Sequence, residues 1–206
     1  MKRILFQGDS ITDAQRSREE DWKMGNGYPT LVSAHLGCEY PGEYEFINRG
    51  IGGNRIVDLY ARMKSDIVNL KPDIMSILIG VNGVWQEITR GNGVPAKKYE
   101  LIYNMLINEV KEFLPDIKIM TMGPYVLKGS ATEENWDTFR SEVDKRIAAA
   151  KNVAQKNGLI YIPLQEKFDE GLKKAPANYW TMDGVHPTAM GHEIIKRAWL
   201  DGFGRL

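Results

Sequence analysis

Cysteine is nearly absent from the chain: Cys38 stands alone among 206 residues. An intramolecular disulfide framework is therefore excluded. No basic residue closely flanks Cys38 to activate it, so it reads as a small buried hydrophobe rather than a reactive thiol. An excess of charge is missing as well, with 27 Lys+Arg against 27 Asp+Glu. That balance gives no global attraction to nucleic acid or to an anionic membrane, and neither partner is expected. Long apolar runs are also lacking. None approaches the ~18 residues a membrane span needs. The run after Met1 is shorter than the ~7–15 residues of a signal-peptide core, and Asp9 follows almost at once. The chain reads as cytoplasmic. Histidine is scarce, with only three, and none stands at a standard zinc spacing, so no metal is expected.

A hydrophobic core is well provided for. The hydrophobic content of 43% is close to the globular norm and excludes a disordered or fibrous chain. Area scaling predicts roughly 9,700 Å² of surface when folded against roughly 34,000 Å² unfolded, enough burial for one domain over residues 1–206. No internal repeat, low-complexity segment or linker interrupts it.

Short apolar runs alternate with longer amphipathic stretches. Residues 3–7, 44–48, 74–79, 117–122 and 159–163 are strand candidates, mostly near-continuous apolar runs as in parallel strands covered on both faces. Ile56, Tyr60, Met63, Ile67 and Leu70 fall at helical spacing, as do Tyr99, Ile102, Leu106, Val110 and Phe113. Trp136, Phe139, Val143, Ile147, Ala150 and Ala154 mark a long helix with Thr132 as its expected N-cap. A last helix is expected to begin near Thr188 and to end before Gly202. This alternation predicts an α/β fold: a three-layer α/β/α sandwich, flavodoxin-like, with about five parallel strands. Ligands in such folds bind outside the carboxyl ends of the strands.

The residues at those ends carry the chemistry. The first strand runs into Gly8-Asp9-Ser10, where a serine hydroxyl either faces the mouth of the sheet or caps a helix. The second runs into Asn48-Arg49-Gly50-Ile51-Gly52-Gly53-Asn54-Arg55. Glycines there leave N–H groups open to a ligand or simply make a tight turn. The dinucleotide fingerprint is not met, because Arg55 stands where its third glycine belongs. The third strand ends in Gly80-Val81-Asn82-Gly83. Asn82 is either an oxyanion donor or a turn residue. Asp183-Gly184-Val185-His186 has the right types to orient an imidazole, or is a surface turn. Each element is weak alone; their order along the chain is not.

This constellation resembles the SGNH hydrolases, the GDSL-type esterase and lipase family, over essentially the whole chain. It is most similar to the bacterial carbohydrate and acetylxylan esterases. The resemblance implies Ser10 as nucleophile, with Asp183 and His186 completing the triad. It implies an oxyanion hole built from the Ser10 N–H, the Gly53 N–H (Gly52 being the neighbouring alternative) and the Asn82 amide. No cofactor is implied. One departure stands out: the family usually reads Gly-x-Asn-Asp, and here Gly83 follows Asn82, which leaves the hold on Asn82 in question. The general α/β-hydrolase signature G-x-S-x-G is absent.

Trp22, Tyr28, Trp85, Tyr179 and Trp180 fall near the site edge, and Asp9, Trp85 and Trp180 are the substrate-binding candidates. The absence of a long apolar lid favours short acyl groups. Deacetylation of a carbohydrate such as an acetylated xylo-oligosaccharide is the expected reaction. A short-chain carboxylesterase, a lysophospholipase or a thioesterase of the same family is the alternative. A non-catalytic carbohydrate-binding relative and a flavodoxin-like nucleotide binder are the readings from other classes. Trp199 and Tyr103 read as exposed aromatics, and with the resemblance they lead to the expectation of a homo-oligomer.

Overall fold

Five parallel strands form one sheet in the order β2-β1-β3-β4-β5: β1 Lys2–Gly8, β2 Tyr44–Asn48, β3 Ile74–Leu78, β4 Lys118–Met122 and β5 Ile160–Ile162. The computed structural model describes residues 1–206. Every strand candidate lies on an observed strand, within a residue or two at each end. Side-chain alternation splits each apolar run between two cores. Ile4, Phe6, Leu78, Met120 and Ile162 face one core, whereas Leu5, Met75, Ile77 and Ile119 face the other. The first is covered by α2 (Tyr28–Glu39), α8 (Leu164–Leu172) and α10 (Ala189–Phe203), and the second by α3 (Ile56–Ala61) and α6 (Ala96–Phe113). The long helix α7 (Trp136–Asn157) sends Phe139 and Val143 to the first core and Ala150 and Val153 to the second. This is the α/β/α sandwich read from the sequence.

The strand order places the reversal point between β1 and β3. After β1 the chain goes to β2 on one side, then crosses to β3 on the other. A crevice opens at the carboxyl ends of two such strands, where the flanking connections diverge. Helix α1 (Ser10–Asp13) follows β1, and α5 (Val81–Arg90) follows β3, so Ser10 and Asn82 are delivered to that crevice.

Several local expectations are corrected. The periodic stretch from Ile56 to Leu70 is not one helix. It divides into α3, α4 (Met63–Asp66) and a 3-10 turn at Val68–Leu70. The break falls at Arg62, whose guanidinium reaches back to Asn54 Oδ1, Asp66 and the Gly8 carbonyl. Thr132 does not cap α7, which begins at Trp136. Its hydroxyl is buried and donates to the Leu127 carbonyl at 2.8 Å, pinning the loop after β4. The last helix runs through Gly202 to Phe203, with Thr188 as its N-cap through a bond from the Gly191 N–H. Cys38 is exposed on α2 rather than buried. Trp199 and Tyr103 are fully buried, so the aromatics expected to support self-association belong to the core. No helix is long and apolar enough to cross a membrane.

Candidate active site

Asp9 ends the turn after β1 and caps α1: its carboxylate accepts the Ile11 N–H at 3.0 Å. Ser10 is thereby left as the first residue of a four-residue helix, with its hydroxyl free for other partners. The Ser10 Oγ lies 2.9 Å from His186 Nε2, and His186 Nδ1 lies 2.7 Å from Asp183 Oδ2. The other Asp183 oxygen accepts the backbone N–H groups of Val185 and His186 at 2.9 and 2.8 Å. The three-residue spacing thus lets one tight loop hold both the acid and the imidazole ring. That loop is anchored from behind, because the Tyr125 hydroxyl donates to the Val185 carbonyl and the Leu127 N–H to the Gly184 carbonyl.

The glycine turn after β2 approaches the same serine. Gly53 has φ +80°, a conformation that favours glycine, and its N–H has no partner within the protein. The Gly52 N–H is occupied by Asp13 Oδ2 at 3.0 Å. Of the two alternatives, Gly53 is therefore the one with a free donor. Asn82 is 7% exposed, and its Nδ2 donates one proton to the Asn54 carbonyl at 3.1 Å. With no carboxylate at position 83, the glycine turn itself supplies an acceptor that orients this amide.

Electrostatics follow from burial and pairing. The hydrogen bond to Asp183 raises the His186 pKa above its ordinary value, against the opposing effect of burial. Burial pushes Asp183 up, but its bonds from the His186 ring and two backbone N–H groups outweigh that and hold it low. Burial pushes the Asp9 carboxyl up to about 7.

Substrate-binding expectations need correction. Asp9 is 1% exposed, its Oδ1 accepts the Ile11 N–H, and it does not line the cleft over Ser10. Trp180, at the end of α9 (Ala177–Trp180), packs on Gly171 and donates to the Ala175 carbonyl, lining a separate groove beside α10. Tyr28 is fully buried, its hydroxyl 3.1 Å from Thr12 Oγ1, while Trp22 and Tyr179 are exposed to solvent. Trp85 is the aromatic that meets the triad, with its ring centroid 5.7 Å from that of His186. A cleft of about 680 Å³ opens over Ser10 and His186, bordered by Gln15, Arg16, Arg18, Asn26 and Thr188.

The sequence reading gives no role at the site to His192, placed on the last helix and set aside as a metal ligand, or to Asp13. His192 Nδ1 accepts the Tyr28 N–H at 3.1 Å, and burial pulls its pKa down to about 4. A histidine held neutral in the fold opposes acidification. Stability is lost as pH falls from 6.5 toward 4, by roughly 3 kcal/mol from this residue. His192→Asn keeps an acceptor for Tyr28 without a charge to bury. Denaturant titrations at pH 6.5 and 4.5 should show a smaller loss in the variant; equal losses would assign acid sensitivity elsewhere.

A serine hydroxyl, an imidazole and a carboxylate in hydrogen-bonded series at the carboxyl edge of a parallel sheet define a serine hydrolase site. Comparisons give the family. The model of the GDSL-like lipase/acylhydrolase family matches residues 6–194. The chain is 33% identical over 212 residues to an acetylxylan esterase of Geobacillus stearothermophilus, covering 98% of this chain and 94% of that one. The crystal structure of that esterase matches with a TM-score of 0.88 at 32% identity, covering 98% of this chain and 94% of the other. A Parabacteroides merdae structure, described provisionally as a GDSL-like lipase, matches with a TM-score of 0.91 at 35% identity, covering 98% and 95%. This chain belongs to the GDSL-like lipase/acylhydrolase family and is a serine ester hydrolase.

Proposed function

We propose that the protein removes short acyl groups, acetyl foremost, from esterified carbohydrates, using Ser10, His186 and Asp183. The observation that carries this reading is the hydrogen-bonded series Ser10–His186–Asp183, with the Ser10 and Gly53 N–H groups unpartnered within the protein and the Asn82 amide at the same sheet edge. The similar acetylxylan esterase supports the substrate class, and a serine-to-alanine and an aspartate-to-alanine form of it are both described as catalytic mutants. Polar side chains in the cleft support it too: beside Met182, Pro187 and two alanines stand arginine, glutamine, asparagine and threonine groups that can hydrogen-bond sugar hydroxyls.

In this mechanism His186 Nε2 takes the proton from Ser10 Oγ as the oxygen attacks the ester carbonyl carbon. The tetrahedral oxyanion is met by the N–H groups of Ser10 and Gly53 and by the Asn82 amide. Asp183 fixes the tautomer that leaves Nε2 basic and stabilises the imidazolium. Collapse expels the sugar alkoxide, which receives the proton from His186. Water, deprotonated by the same imidazole, then attacks the acyl-enzyme, and as the acyl–Oγ bond breaks His186 returns the proton to Ser10 and a carboxylic acid leaves.

Because the Asp183 bond favours the protonated imidazole, activity should rise with pH through a midpoint above 6.5. A rate profile of kcat/KM from pH 5 to 9 checks this, and a flat profile would remove His186 as the base. The substrate class is tested by comparing p-nitrophenyl acetate with the octanoate, and by measuring acetate released from acetylated xylo-oligosaccharides. Acetate should be preferred by at least about tenfold. Turnover that rises with chain length would move the reading to lipids or thioesters.

A further inference from the structure

We propose that Asp13 is a positioning residue that fixes the glycine turn against the nucleophile helix and determines that Gly53, not Gly52, donates to the oxyanion. The inference rests on the reading of Ser10 and the oxyanion hole given above. Asp13 is 8% exposed at the end of α1, three residues after Ser10. Its Oδ2 accepts the Gly52 N–H at 3.0 Å, crossing from the element that carries Ser10 to the turn that carries Gly53. The two backbones touch without room for a side chain: a Cβ at Gly50 would lie 2.3 Å from the Asp13 nitrogen.

A carboxylate beside a developing oxyanion would repel it unless its charge were neutralised. Arg18 does so, donating to the two Asp13 oxygens at 3.2 and 2.6 Å. Arg16 adds a bond from Nε to the Gly50 carbonyl at 2.8 Å. With Gly52 engaged internally, the next N–H along the turn is the one left without a partner. Donors act on a transition state through placement to within a few tenths of an ångström, so a residue that sets the separation of two donors acts on kcat rather than on ground-state binding.

The test compares Asp13→Ala and Asp13→Asn with wild type on p-nitrophenyl acetate, together with hydrogen exchange at the Gly52 amide. Asparagine keeps an oxygen acceptor for Gly52. It should retain kcat to within about fivefold and keep that amide protected. Alanine should lower kcat by about 10- to 100-fold with KM changed less than about threefold, and should leave the Gly52 amide unprotected. An alanine variant within threefold of wild-type kcat overturns the inference, as does an asparagine variant that falls as far as alanine. Should Asp13→Ala not fold, Arg18→Gln provides the measurement. It leaves the carboxylate unneutralised and should lower kcat several-fold on p-nitrophenyl acetate, which has no sugar hydroxyls for Arg18 to meet, and a wild-type kcat there overturns the inference. Ser10→Ala is run alongside. Turnover that survives in it overturns the site reading and this inference together, whereas an inactive Ser10→Ala beside wild-type-like Asp13 variants overturns this inference alone.

Discussion

Ser10→Ala is expected to lower kcat on p-nitrophenyl acetate by about 10⁴-fold or more, which is at least ~5.5 kcal/mol of transition-state stabilisation. The size follows from removing the atom that forms the bond: the imidazole and the oxyanion donors remain, but water must attack in place of a positioned alkoxide. Thermal stability should barely move, with Tm within about 2 °C of wild type. The structure makes that separation possible, because the cap of α1 is the Asp9 carboxylate on the Ile11 N–H, not the Ser10 hydroxyl. Had Ser10 been the cap, alanine there would cost ~1 kcal/mol, which in a domain of this size lowers Tm by a few degrees. An active Ser10→Ala with a lowered Tm would make Ser10 a structural residue and end the serine mechanism. An inactive one with an unchanged Tm isolates the chemistry from the fold.

The strands were legible because parallel strands buried on both faces write themselves as short apolar runs, and this chain has five of them between helical periodicities. Residues such as Ile4 and Leu5 look alike in sequence, yet alternation sends them to opposite cores. What periodicity could not show was where a helix breaks for a polar reason. The break at Arg62 lets its guanidinium reach Asn54 in the preceding turn and Gly8, 54 residues away, and no local apolar pattern announces it. Exposure was misjudged in the same way: Trp199 lies on a helix whose apolar face packs beneath Phe6, whereas Cys38 lies on the solvent side of α2.

Within the site, residues that face the crevice were legible, since they follow strand ends in a fixed order. Those that hold them were not. Asp13 reads in sequence as an ordinary acid near a helix start, and only the folded chain brings Gly52 to it from 39 residues away. Asp9 and Trp180 were misread for the converse reason. Each lies within three residues of a site residue in sequence, but Asp9 turns inward as a cap and Trp180 faces another groove. Adjacency along the chain gives position at the crevice, and the direction of a side chain is set by tertiary partners.

Asn82→Ala should lower kcat by about 10²- to 10³-fold, roughly 2.7–4 kcal/mol, with KM little changed. The amide nitrogen carries two protons: the Asn54 carbonyl takes one, and the other is free for the oxyanion. Its placement is already fixed before substrate arrives, by that bond and by burial at the start of α5. Asn82→Asp should fall at least as far, because a carboxylate has no proton to give either the Asn54 carbonyl or the oxyanion. Position 83 decides whether this account of the hold on Asn82 is right. A Cβ there meets Val94 at an ordinary 3.5 Å and stands 3.7 Å from Arg146 Nε, a buried donor without a partner. Gly83→Asp can therefore be accommodated beside a cation. If Asn54 alone orients the amide, this variant should change kcat by less than about fivefold. A tenfold or greater gain would mean that a carboxylate at 83 tightens Asn82 in a way the Asn54 carbonyl does not, and that glycine at this position limits the rate.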